Sequence, residues 1–68
     1  MNHPLRKYRE QHGLTQGQLA KKLGVSRQMV GLIESGEREI TAENAVEWEG
    51  ELDIPRAKLR PDIFEAAA

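Results

Sequence analysis

The chain has 68 residues, 38% of them hydrophobic and 31% charged, with no cysteine and a formal net charge of −1. This length supports one domain around one small core, spanning residues 1–68, and leaves no space for a second, effector-binding module. The lack of cysteine excludes a disulfide framework and a thiolate metal site, and without a signal-peptide pattern or a bilayer-length apolar run the expected location is the cytoplasm, with no membrane partner.

A core of this size is marginal, so dimerisation would add stability. The charge is also unevenly spread. Residues 1–38 carry seven basic and three acidic side chains, a balance of +4, whereas residues 39–68 carry three and eight, a balance of −5. Phosphate attraction depends on the local field at a docking face, so a basic front with an acidic back is compatible with a polyanion held in one orientation.

Apolar residues recur at steps of three and four and nowhere alternate with period two, which predicts an all-α domain of five helices. The first covers about residues 4–12, with Pro4 suited to a first helical position, Leu5 and Tyr8 on the inner face, and Gly13 as a left-handed stop. Thr15 opens the second helix, and Gln18 three residues on completes a capping box. Leu19, Ala20 and Leu23 form its buried stripe. Gly24 supplies a positive φ, Val25 plugs the corner, and Ser26 caps the third helix, whose Val30 and Ile33 face inward and which Gly36 ends. Thr41 opens a fourth helix with Glu43 in its first turn, and Ala45, Trp48 and Leu52 are spaced as an inner face. A short fifth turn near Pro55 carries Leu59 before Pro61 blocks further helix. Residues 66–68 are expected to fray.

Residues 15–36 therefore read as two short helices across a tight glycine turn, a helix-turn-helix. On the third helix Arg27, Gln28, Gly31, Leu32 and, in part, Met29 remain facing outward. An α-helix fits the major groove of double-stranded DNA and reads base edges mostly from its N-terminal part. Arginine matches guanine O6 and N7, glutamine matches adenine N6 and N7, and Leu32 suits a thymine methyl. At the start of the second helix, Gln16 and the free amides beside Thr15 suit a phosphate, as does the cap at Ser26. Lys21, Lys22 and Arg38 are weaker phosphate candidates, since lysines on an amphipathic helix usually form its wet face. Gly17 and Gly31 each cost about 1 kcal/mol in a helix interior, explained by close approach to DNA or to a neighbouring helix, or by simple tolerance.

The remaining features have plainer readings. Glu43, Glu47 and Glu51 line one side of the fourth helix as a solvated face, with a docking face for a basic partner as the sharper alternative. His3 and His12 have no carboxylate or cysteine at ligand spacing, and no Gly-rich phosphate loop or Ser/His/Asp set is present, so neither metal, cofactor nor enzymatic activity is expected. Trp48 belongs to the core by its spacing, with an interface anchor as the alternative. Ile63 and Phe64 either staple their own domain or reach a second subunit.

The pattern T-Q-x-x-L-A-x-x-L-G-V-S-x-x-x-V-x-x-I-E-x-G over residues 15–36 resembles the Cro/C1-type (XRE) helix-turn-helix family of phage and bacterial repressors. The likeness extends over about residues 5–54. It implies a lambda-repressor-like fold in which Gln16 contacts phosphate, Arg27, Gln28 and Leu32 face bases, and Arg9 and Glu34 form a structural ion pair. The implied activity is that of a Cro-like repressor acting as a homodimer on an operator. The ending L-R-P-D-I-F, residues 59–64, is similar to the tails of YdaS-like antitoxins and small Cro-like phage proteins, which implies an alternative: a protein-interaction module that neutralises a partner such as a toxin. The sequence departs from the family at Ile40, where proline is common, at Glu49, where a small apolar residue is common, and at Glu37-Arg38-Glu39, which carries less positive charge than many members.

Overall fold

Five helices in chain order, α1 (Pro4–Gln11), α2 (Gln16–Leu23), α3 (Arg27–Ser35), α4 (Ala42–Leu52) and α5 (Arg56–Leu59), make up the computed structural model, which describes residues 3–64. No strand occurs among the described residues, and the expected fraying at 66–68 lies outside them.

Capping chemistry sets most of the helix ends. The His3 ring nitrogen Nδ1 accepts from the Leu5 amide at 3.1 Å, ahead of Pro4 in the first turn of α1. Burial lowers the His3 pKa from 6.5, with the Glu34 charge acting in the opposite sense, which favours the neutral ring whose Nδ1 can accept in this cap. α1 stops at Gln11, one residue before the expected end, and Gly13 turns the chain at φ +63°.

Thr15 and Gln18 form the reciprocal capping box: the Gln18 amide donates to Thr15 Oγ1 at 3.1 Å, and the Thr15 amide donates to Gln18 Oε1 at 2.8 Å. At the other end of α2, Gly24 adopts φ +73°, a conformation that a Cβ would strain. The Val25 amide can then donate back to the Ala20 carbonyl at 3.0 Å, closing the turn into α3. Ser26 Oγ accepts from the Met29 amide and Thr41 Oγ1 from the Asn44 amide, opening α3 and α4.

The last two ends rest on long-range or strained solutions. α4 ends on Asp53 at φ 54°, where a residue with a Cβ occupies the left-handed region. Pro55 offers α5 no side-chain cap. Glu49 fills that role from α4, its Oε2 accepting from the Arg56 amide at 2.8 Å while Oε1 stands 3.7 Å from Arg56 Nε.

Apolar faces from all five helices converge. Leu5, Leu19, Val30, Ile33 and Ala45 are wholly buried, and Trp48, Ile40, Ala20, Leu52, Leu59 and Leu23 nearly so. α2 packs across α3, α1 against α3, and α4 against both α2 and α5, within a body of 34 × 23 × 22 Å. Val25 packs half-buried at the corner. Tyr8, expected on the inner face, is half-buried and stacks on His12 with ring centroids 4.0 Å apart. Phe64 packs against the core beneath the Arg56 guanidinium, 5.4 Å from its ring centroid, whereas Ile63 stays 46% exposed. Phe64 therefore staples its own domain.

Trp48 is the largest side chain in this core and the chain's one tryptophan. Trp48→Ala is expected to cost about 3–5 kcal/mol, a large share of the roughly 5–15 kcal/mol that holds a domain folded. Urea unfolding followed by circular dichroism checks this, and a midpoint close to wild type would contradict the placement of Trp48 at the centre.

Candidate nucleic-acid interface

α3 separates its residues by side. Val30 and Ile33 are buried against the rest of the domain, while Arg27 and Gln28 on the first turn are exposed. Neither of those two side chains forms a hydrogen bond or ion pair among the described residues. Gly31 and Leu32 are half-buried, so Leu32, expected to be exposed, presents only part of its surface. Thr15, Ser26, Lys21 and Arg38 are exposed. The Thr15 and Ser26 hydroxyls are occupied as caps, accepting from the third amide of their helices. By helix geometry the Gln16 and Gly17 amides have no carbonyl one turn back to bind.

The two costly glycines mark the approach of α2 to α3. A Cβ built on Gly17 would lie 3.7 Å from Arg27 Cδ, so the arginine stem runs along the first turn of α2. A Cβ on Gly31 would lie 3.7 and 3.8 Å from Gln16 Oε1 and Nε2, so the Gln16 amide lies across α3. Both are ordinary contact distances. Alanine would fit at either position, so packing within the domain gives no steric reason for glycine at either.

Gln16 belongs to a polar network that closes behind this face. Arg9 donates through Nε to Glu34 Oε2 at 2.9 Å and through Nη2 to Glu34 Oε1 at 3.1 Å. Its Nη1 donates to the Leu14 carbonyl at 3.2 Å, and Gln16 Nε2 donates to Glu34 Oε1 at 3.2 Å. The Arg9 and Glu34 side chains keep only 19% and 5% of their surface exposed. Burial by itself would raise the Glu34 carboxyl, but hydrogen bonds from Arg9 and Gln16 and the nearby arginine charges outweigh it and hold the pKa below the ordinary 4.5. The same hydrogen bond raises the Arg9 pKa. Thus Gln16, expected to meet a phosphate, is half-buried and tethered to a carboxylate at the edge of the α2–α3 surface.

Arg60, to which the sequence assigns no role, reaches the loop after α3. Its Nη1 donates to the Ile40 carbonyl, and Nη2 stands 3.2 Å from Glu39 Oε2. These partners lie some twenty positions upstream, beyond the reach of any helical spacing rule. Among the described residues no group of three or more His, Cys, Asp or Glu is arranged to hold a metal ion, and no helix is long and apolar enough to cross a membrane.

Residues 5–59 match the profile of a helix-turn-helix family. The chain belongs to that family, of the Cro/C1 (XRE) type. Over 36 residues, 53% of the chain, it is 58% identical to a Methanocaldococcus jannaschii protein named an uncharacterized HTH-type transcriptional regulator, of which the match covers 54%. The chain thus spans about half the length of this curated relative. No solved structure matches it significantly.

The network has a pH signature. A carboxyl whose folded pKa lies below its unfolded value contributes stability above that unfolded value and loses it as pH falls through the folded one; for Glu34 the loss begins below 4.5. Glu34→Gln is expected to cost roughly 1–3 kcal/mol near neutrality, below the range for fully buried pairs because Arg9 keeps some solvent contact. The substitution also removes part of the acid limb, so the gap between the two proteins narrows toward about pH 3. Urea titrations across this range check it, and a constant gap would contradict the assignment.

Proposed function

We propose that this chain is a sequence-specific, DNA-binding transcriptional regulator, a Cro-like repressor that binds an operator as a homodimer. The observation that carries this reading is the first turn of α3: Arg27 and Gln28 are exposed and unpaired among the described residues on a helix whose opposite side is fixed in the core. Membership of the helix-turn-helix family and the name of the archaeal relative support the same class.

In this reading α3 enters the major groove. Arg27 donates two hydrogen bonds to guanine, Gln28 matches adenine, and Leu32 and the bare backbone at Gly31 lie close to base edges. Gln16, Thr15, Ser26, Lys21 and Arg38 hold the flanking phosphates and set the register without reading sequence. The tether to Glu34 prepares Gln16 for this task, because a carboxamide already held at one hydrogen loses less rotamer freedom when its second meets a phosphate oxygen. Two copies related by a two-fold axis place their α3 helices about 34 Å apart, in successive major grooves. Occupancy of the operator then excludes polymerase. No cofactor enters the mechanism.

A second reading, a module that neutralises a basic protein such as a toxin, draws on the exposed side chains of Glu43, Glu47 and Glu51 along α4. Charge substitution separates the two, since phosphate contacts are lost with the basic side chains of the first three helices, whereas a basic partner protein is lost with Glu43, Glu47 and Glu51.

Selection of bound oligonucleotides from a random pool is expected to return a palindromic site. On that site Arg27→Ala or Gln28→Ala should cost about 1–3 kcal/mol and relax preference at one base pair, whereas Gln16→Ala should weaken all sequences alike. Equal losses on specific and random DNA for the Arg27 change would overturn this division of roles.

A further inference from the structure

A cleft of about 300 Å³ bounded by His3, Ile33, Arg38, Ile40, Arg60 and Asp62 marks where the start of the chain, the end of α3 and the C-terminal segment meet. Arg60 forms part of this cleft with 15% of its side chain exposed. Its Nε donates to Asp62 Oδ1 at 2.9 Å and its Nη2 to Asp62 Oδ2 at 2.6 Å, a two-pronged fork within the tail. The amides of Ile63 and Phe64 donate to the Arg60 carbonyl at 3.1 and 2.9 Å, closing the turn around it. Thus braced, the guanidinium reaches out of the tail to Glu39 Oε2 and to the Ile40 carbonyl.

Both partners lie in residues 37–40, the loop between α3 and α4. At the loop's start the amides of Glu37 and Arg38 donate to the Leu32 carbonyl at 3.0 and 3.1 Å. At its end the Ile40 side chain is buried and Thr41 caps α4. Between these anchors Arg60 is the one side chain from elsewhere that holds a main-chain group of the loop, among the described residues. A charged donor makes a stronger hydrogen bond to a carbonyl than a neutral one, and a planar fork fixed by Asp62 has little freedom to swing away.

We propose that Arg60 is a positioning residue for the nucleic-acid face: its guanidinium fixes the course of residues 37–40 behind α3, and so the place from which Arg38 meets a phosphate. The C-terminal segment is thereby coupled to DNA affinity through one side chain. This inference rests on the DNA-binding reading above.

Three variants test it in the full chain. Arg60→Met keeps the aliphatic stem and loses every polar contact, Arg60→Lys keeps the charge and loses the fork, and Arg38→Ala removes the group said to be positioned. Amide hydrogen exchange without DNA is expected to quicken about tenfold at residues 37–41 in Arg60→Met, the scale of one charge-assisted hydrogen bond, while the α2 amides Leu19 and Leu23 keep their rates. Binding to a selected site should weaken about tenfold, and the salt slope should fall by about one. Adding Arg38→Ala to Arg60→Met should then weaken binding little further. If Arg60→Met fails to fold, Arg60→Lys carries the same exchange and binding measurements. Unchanged loop exchange, or losses from Arg60 and Arg38 that add independently, would overturn the proposal. A wild-type chain that binds no DNA at any salt would overturn the DNA reading, and the exchange rates would still decide whether Arg60 holds the loop.

Discussion

The guanidinium of Arg9 joins α1, the turn into α2 and α3, with Gln16 of α2 bound to the same carboxylate. An apolar core resists water without strongly selecting one rotation of a helix over its neighbours, because dispersion contacts are many and individually weak. A two-pronged arginine–carboxylate pair is directional. With both Glu34 oxygens held by Arg9 and Oε1 also by Gln16, α3 has a defined rotation, and its exposed first turn follows from that. Such a pair adds little net stability over an apolar one of the same shape, but removing one partner strands a charge in a poorly solvated site. Its contribution is to geometry first.

Ion pairing also sorts the charges that the sequence leaves mixed. Among the described residues Arg6 pairs with Glu10, Arg9 with Glu34, Arg56 with Glu49, and Arg60 with Glu39 and Asp62. The basic side chains left outside these pairs are Lys7, Lys21, Lys22, Arg27, Arg38 and Lys58, five of the six from the first 38 residues. The acidic side chains left outside, among the described residues, are Glu37, Glu43, Glu47, Glu51 and Asp53, three of the five on α4 and one in the first 38 residues. The internal pairs leave the basic excess of the first three helices available to a polyanion, so a whole-chain charge of −1 is a poor guide to the local field.

Much of the helix-turn-helix was legible because its signals are local. A hydroxyl binding an amide three residues on, and a glycine turning left-handed after the last helical residue, act within one turn of chain. Thr15, Gln18, Gly24, Ser26, Gly36 and Thr41 therefore stand where their spacing placed them. The periodicity that assigned Leu19, Leu23, Val30, Ile33, Trp48 and Leu52 to the core reflects the same short-range geometry. The Arg9–Glu34 contact came from family resemblance, since its partners lie 25 positions apart and no spacing rule joins them.

By itself the sequence determined the five helices, the side-chain caps that open α2, α3 and α4, the glycines that end α2 and α3, the buried stripes and the outward turn of Arg27 and Gln28, because each depends on neighbours within a few positions. Only the tertiary structure decided that Gln16 is tied to Glu34, that Glu49 caps α5, that Phe64 packs on its own domain while Ile63 does not, and that Arg60 reaches the loop after α3. These contacts join distant stretches of chain. Their partners are selected by the shape of the folded body, which brings a donor and an acceptor together only after the helices have packed.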